Sequence, residues 1–141
     1  MTHKRQRVRE AVIAKLTSIP DWSGRVFANR ARPTEQAELP VALVYTVAEE
    51  SELANIAFGL SRTLTLNLEL RVSAVSFLDT VLDGYCEAAE AAMRTDPTFG
   101  RLVFISFLRG TTISIDGEGE ARQAVATLNY ELRYETDAAG N

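Results

Sequence analysis

The 141-residue chain has little of what most catalytic or metal sites require: one cysteine, Cys86, and one histidine, His3. A single thiol forms no intramolecular disulfide, and no Cys/His cluster with zinc spacing exists. That leaves the redox compartment open, with reducing cytosol the default. No apolar run approaches the roughly 20 residues of a membrane helix. The charged start Met1-Thr2-His3-Lys4-Arg5 also lacks the apolar stretch of a secretory signal. The expectation is a protein made and kept in the cytoplasm, with no membrane partner. Lysine is scarce as well, since Lys4 and Lys15 are the only two among 15 cations. The net charge of -4, from 15 basic and 19 acidic residues, argues against a surface built throughout for nucleic acid.

Catalytic signatures are equally thin. No Gly-rich loop carries a lysine from a strand into a helix, and no GxSxG elbow is present. Cys86 has no histidine near it in sequence to activate it, and burial is the usual fate of a free cysteine. Asp79 and Asp83 stand one helical turn apart, but acidic residues near a helix start are stabilising in themselves. The stretch Asp116-Gly117-Glu118-Gly119-Glu120 lacks the alternating oxygen ligands and closing glutamate of an EF-hand, and reads as a hairpin loop. No catalytic residue, metal or cofactor is expected, and no enzymatic activity. The basic start His3, Lys4, Arg5, Arg7 and Arg9 opposes the dipole of the helix it opens. Phosphates or an acidic partner would relieve that opposition.

What is present is a core. An apolar share of 46% and a charged share of 24% are an ordinary globular mixture, and the length suits one domain. Val8, Val12, Leu16 and Ile19 recur at helical spacing, which predicts a first amphipathic helix over about residues 4–18, ended by Pro20. Arg25-Val26-Phe27 reads as a short strand, Asn29 to Leu39 as a surface loop, and Val41 to Val47 as a strand. Glu49 to Gly59 shows no clear period and is read as a long loop.

From Leu60 to Val72 apolar residues alternate strictly with polar ones, so one strand face is apolar and the other polar. Ser76-Phe77-Leu78-Asp79 resembles a capping box. It opens a second helix with Leu78, Leu82, Ala89 and Met93 on its apolar stripe, ending near Thr95. Leu102 to Leu108 is either strand or short helix. Residues 111–115 and 124–134 read as two strands, the second again one-sided. The fold class expected is α+β, a mainly antiparallel sheet with two amphipathic helices on one face. Residues 1–135 would form one domain and 136–141 a disordered tail.

Six segments then gain meaning from their order. They are Val8-Arg9-Glu10-Ala11-Val12 with Leu16, Gly24-Arg25-Val26-Phe27, Glu38-Leu39-Pro40-Val41-Ala42-Leu43-Val44-Tyr45, Leu66 to Val72, Leu78 to Leu82, and Leu128 to Glu135. In this order, over residues 8–135, the chain resembles the tail terminator family of long-tailed phages, the minor tail protein that caps the tail tube in lambda-like phages. The resemblance implies a homo-hexameric ring on the end of the tube of a virion tail, halting tube growth and offering a surface to a head-completion or connector protein. Its partners would be further copies of itself, the major tail tube protein and that connector. DNA would pass through the lumen only as cargo. Candidate subunit or tube contacts are Arg25, Arg30, Arg32, Glu35, Glu38, Glu49, Glu50 and Glu52, in loops suited to charged pairing. Another head-tail joining protein, a small-molecule-binding α+β module, and a DNA binder using the basic start are the competing readings.

Overall fold

The computed structural model describes residues 3–28, 39–74, 76–116 and 122–141. Helix α1 spans Lys4–Thr17 and is followed by a 3-10 turn, Pro20–Trp22. Strands β1 (Val26–Phe27), β2 (Val41–Leu53) and β3 (Leu60–Ala74) come next, then helix α2 (Leu78–Thr95), and last β4 (Ile105–Asp116) and β5 (Arg122–Thr136). The five strands lie in the order β1-β2-β3-β5-β4. Among the described residues only the β1–β2 pair is parallel.

The register of β3 on β5 explains the layering. Leu64 lies opposite Leu132, Leu66 opposite Tyr130, Leu68 opposite Leu128, and Leu70 opposite Ala126. Directly opposed residues share a face, so the two one-sided patterns merge into one apolar surface. Val8, Val12 and Leu16 of α1 and Leu82, Cys86, Ala89 and Met93 of α2 cover it. Each such leucine stabilises by about 1.5–3 kcal/mol when fully buried. Trp22 is wholly buried in this core, its ring centroid 5.1 Å from that of Tyr85. The opposite face of β3 and β5 is polar, with Asn129 Nδ2 donating to Asn67 Oδ1 at 2.8 Å and Arg71 Nε to Glu69 Oε2 at 2.7 Å, while Val41, Leu43 and Tyr45 of β2 are buried on that side. The α+β arrangement, with both helices on one face, is as the sequence predicts.

Several local expectations are corrected. The segment read as a long loop from Glu49 is strand as far as Leu53, leaving 54–59 as the connection. An extra residue in β2 between Thr46 and Ala48 shifts the alternation by one, and the residues beyond it are charged on both faces, so no apolar period remains to be read. Asn55 Oδ1 closes the connection by accepting from the amides of Ala57 and Gly59, each at 3.0 Å. A Cβ at Gly59 would meet Asn55 Nδ2 at 2.5 Å, so a larger residue there would displace the side chain that closes the turn.

The ambiguous run 102–108 is divided: a turn to 104, then β4 from Ile105. Asp96 builds that turn by accepting from the amides of Thr98 and Gly100. The capping box does not form, because Phe77, in left-handed conformation at φ 54°, is the N-cap and makes no side-chain capping bond. The C-terminal residues, expected as a disordered tail, are placed. Thr136 is a buried end of β5, Asp137 accepts from the amides of Ala139 and Asn141, and Gly140 O accepts from Lys4 N at 2.9 Å.

Replacing Leu68 or Leu128 by alanine is expected to cost about 2–5 kcal/mol in urea unfolding followed by Trp22 fluorescence. Thr112→Ala, exposed on the edge strand β4, should cost about 1 kcal/mol or less.

Candidate functional site

The bulge at Val47 decides where the charged end of β2 points. Beyond it Glu49 stands opposite Leu64 and Ser51 opposite Arg62, on the helix side of the sheet. Without the extra residue Glu49 would face the other way. There its side chain is only 8% exposed, and Oε2 accepts from Arg5 Nη2 at 2.5 Å and from Arg62 Nη1 at 2.8 Å. The hydroxyl of Tyr134 donates to Oε1. Arg62 Nε reaches on to Thr136 Oγ1 at 2.7 Å. One carboxylate thus joins α1, β2, β3 and β5.

The electrostatics follow from this geometry. Burial pushes the Glu49 carboxyl up, but the bonds from Arg5, Tyr134 and Arg62 outweigh it and hold the group below the usual carboxylate range. Burial, with the same carboxylate as acceptor, raises the Tyr134 phenol above its ordinary value. Burial next to Arg5 and Arg62 lowers His3. His3 is not the loose terminal residue its position suggests: its Nδ1 accepts from Arg5 N at 2.9 Å and caps α1. Lys4 donates to Glu135 O at 3.0 Å and lies 5.7 Å from the centroid of the Tyr134 ring. Part of the basic start therefore meets its acidic partner within the chain.

A second buried carboxylate lies on the polar face. Glu131 accepts from Arg133 Nη2 at 2.8 Å and Arg109 Nη1 at 3.3 Å, and its side chain is 8% exposed. Both centres are neutralised by paired guanidinium groups, the arrangement that makes a buried carboxylate tolerable. Each carboxylate accepts three hydrogen bonds from side chains of the chain itself. The recess beside Glu49, about 270 Å³ and lined by Arg5, Thr46, Val47, Ala48, Glu49 and Leu64, opens onto its engaged side chain. Among the described residues no group of three or more His, Cys, Asp or Glu side chains is placed to hold a metal ion.

The sequence-derived contact residues scatter. Arg30, Arg32, Glu35 and Glu38 lie outside the described residues. Arg25 is held by its Nη1 donating to Pro40 O at 3.3 Å, while its own carbonyl accepts from Ala42 N. Glu49 is turned inward; Glu50 and Glu52 are exposed. Asp79 and Asp83 are both exposed, and the turn at 117–120 lies outside the described residues.

Sequence reasoning missed Arg62 and Tyr134, although Arg62 shares the parity of Leu64 and Leu66 and so announces a charge on the apolar face. It also missed the apolar groups left in solvent. Leu53, Ile56 and Phe58 at the β2–β3 connection are 64%, 97% and 69% exposed, and Phe104, at the start of β4, is 65% exposed. No period marks them, because each belongs to a turn or an edge.

Glu49→Ala is expected to cost about 3–5 kcal/mol, because two guanidinium groups lose their counter-charge. Since the folded-state pKa is lowered, Glu49 contributes its stability in full above an unfolded value of about 4.3 and loses it as pH falls through the lower folded value. The acid limb of the unfolding free energy should flatten in Glu49→Gln. Cys86, buried and pushed up to about 11, should react with a thiol reagent at pH 8 only on unfolding.

No family model matches the chain. No curated protein matches it either. Among solved structures, one described as "Virion of native gene transfer agent (GTA) particle" is similar at 14% identity, with a TM-score of 0.39, over 93% of this chain and 92% of that one. At that level the likeness carries no argument about function.

Proposed function

We propose that this chain is a structural protein of a phage or phage-derived tail, a ring subunit of the tail terminator kind. It would close the end of the tail tube, stop its polymerisation and offer the surface on which head and tail join. The observation that carries the reading is the placement of exposed apolar side chains on separate edges of one sheet. Leu53, Ile56 and Phe58 project at the β2–β3 connection, while Phe104, Ile105 and Phe107 line the start of β4. Exposed apolar groups gathered at sheet edges mark association surfaces.

The order of segments over residues 8–135 supplies the family, and the surface supplies a physical means. A chain whose two contact surfaces differ assembles head to tail, and a head-to-tail contact that closes makes a ring with two unlike faces. One face can match the tube while the other accepts no further tube ring. Termination then follows from geometry without a chemical step. The partners of this reading are further copies of the chain in a hexamer, the tail tube protein and a connector on the head side, with Glu50, Glu52 and Arg25 among the candidate contacts.

Negative-stain electron microscopy of the protein on tail tubes should show rings with a central hole. Deleting the gene should give overlong tails. Tails of normal length in the deletion would overturn the proposal, and co-purification with the portal instead of the tube would favour a joining protein.

A further inference from the structure

We infer that copies of the chain join edge to edge, the outer half of β2 in one copy pairing antiparallel with the start of β4 in the next. This rests on the ring reading and names the joining surfaces. Strand β1 pairs only with Ala42 and Leu43, so residues 46–53 of β2 have no strand on their outer side among the described residues. Strand β4 is the opposite edge of the sheet and has none either. The outward amides and carbonyls of both edges are open to a further strand. Val47 and Ala48 are exposed, so α1 does not cover the β2 edge.

Chain direction fits one edge to the other. The pairs β2–β3, β3–β5 and β5–β4 are each antiparallel, so β4 runs opposite to β2. Two copies set side by side in the same orientation bring β4 of one against β2 of the next, with the antiparallel order unbroken and both helix layers on one side.

The bulges point to a second copy as the occupant. Thr46, Leu66, Tyr130 and Leu108 form one row across β2, β3, β5 and β4. Val47, the extra residue of β2, lies on one side of that row, and Arg109, the extra residue of β4, on the other. A bulge bends its strand and puts the residues beyond it out of step with a regular partner, which is one way an exposed edge refuses a foreign strand. Here the two edges bend within one row of each other, so each matches the other better than it matches a regular strand. With the rows level, Ala48 faces Phe107 and Glu50 faces Ile105 across the junction. A shift by one residue is excluded, because it would set the helix side of one copy against the other face of the next. Pairing takes Val47, Ile105 and Phe107, which are 49%, 45% and 37% exposed, out of water. Beyond the bulges β1 holds the place beside Ala42 and Leu43, and there the junction ends.

The test uses full-length variants Ala48→Cys, Phe107→Cys and Ile113→Cys, with the unsubstituted chain and its buried Cys86 as control. Pairs are mixed under mild oxidation in solution and on tail tubes, and rings are scored in parallel by electron microscopy. The expected result is a disulfide-linked dimer when Ala48→Cys meets Phe107→Cys, and none when it meets Ile113→Cys. A dimer in either of the first two variants alone, meaning β2 on β2 or β4 on β4, overturns the inference. Rings without the mixed dimer overturn it too, but leave the ring reading standing. The mixed dimer without rings upholds the edge pairing and counts against the ring; absence of both removes both. Hydrogen exchange should slow in 46–50 and 105–108 on assembly, and unchanged exchange at both edges of assembled protein would overturn the inference. Val47→Lys combined with Ile105→Lys, which places like charges on the two edges, should shift the assembled species to monomer with an unchanged melting temperature; unchanged assembly would count against it.

Discussion

The in-register pairing of β3 with β5 is the constraint on which the other elements depend. It sets Leu64, Leu66, Leu68 and Leu70 against Leu132, Tyr130, Leu128 and Ala126, producing a continuous apolar face that water cannot be left to cover. Slipping the register by one residue would send one strand's apolar set to the polar side. Helices α1 and α2 can bury their stripes only on this face, and Lys15, donating to Asp96 O at 2.7 Å, ties the end of α1 to the end of α2. The sheet is thus closed by the helices on one side, while on the other it is polar except at the start of β2, where Val41, Leu43 and Tyr45 are buried as well.

Where the apolar face runs out, charge takes over. The β2 bulge brings Glu49 to the helix side, and Arg5 and Arg62 surround it. The network stands where the alternation of β3 would continue with an apolar residue, so its value lies less in net stability than in position. It fixes the N-terminal turn of α1 to the sheet end from which the β2–β3 connection projects. A rigid base under an apolar projection reduces the ordering cost of any partner's docking on it.

This division of labour suits an assembly protein. The buried carboxylates are consumed by the chain's own arginines, while the groups left to solvent include apolar side chains at strand ends. In the proposed reading such a surface would meet another protein by shape. The proposed ring requires only that the two edges of the sheet match each other and that the two resulting faces differ.

The pattern along the chain was enough to place both helices, the one-sided strands and the α+β class, because periods of 3.6 and 2 are local properties that a core makes visible. The segment order also carried the resemblance from which a ring was expected. It left the outer half of β2 as a loop and the run before β4 undecided. It also took Glu49 for a surface contact and Ser76 for a cap. Each depended on something non-local: a single inserted residue opposite another strand, an arginine 44 positions away from Glu49, or a turn built by Asp96. Composition and periodicity determined that the chain buries one face of a sheet under two helices. Folding alone determined which charges were spent inside and which apolar groups stayed outside, because both depend on which residues the strands bring together across the sheet.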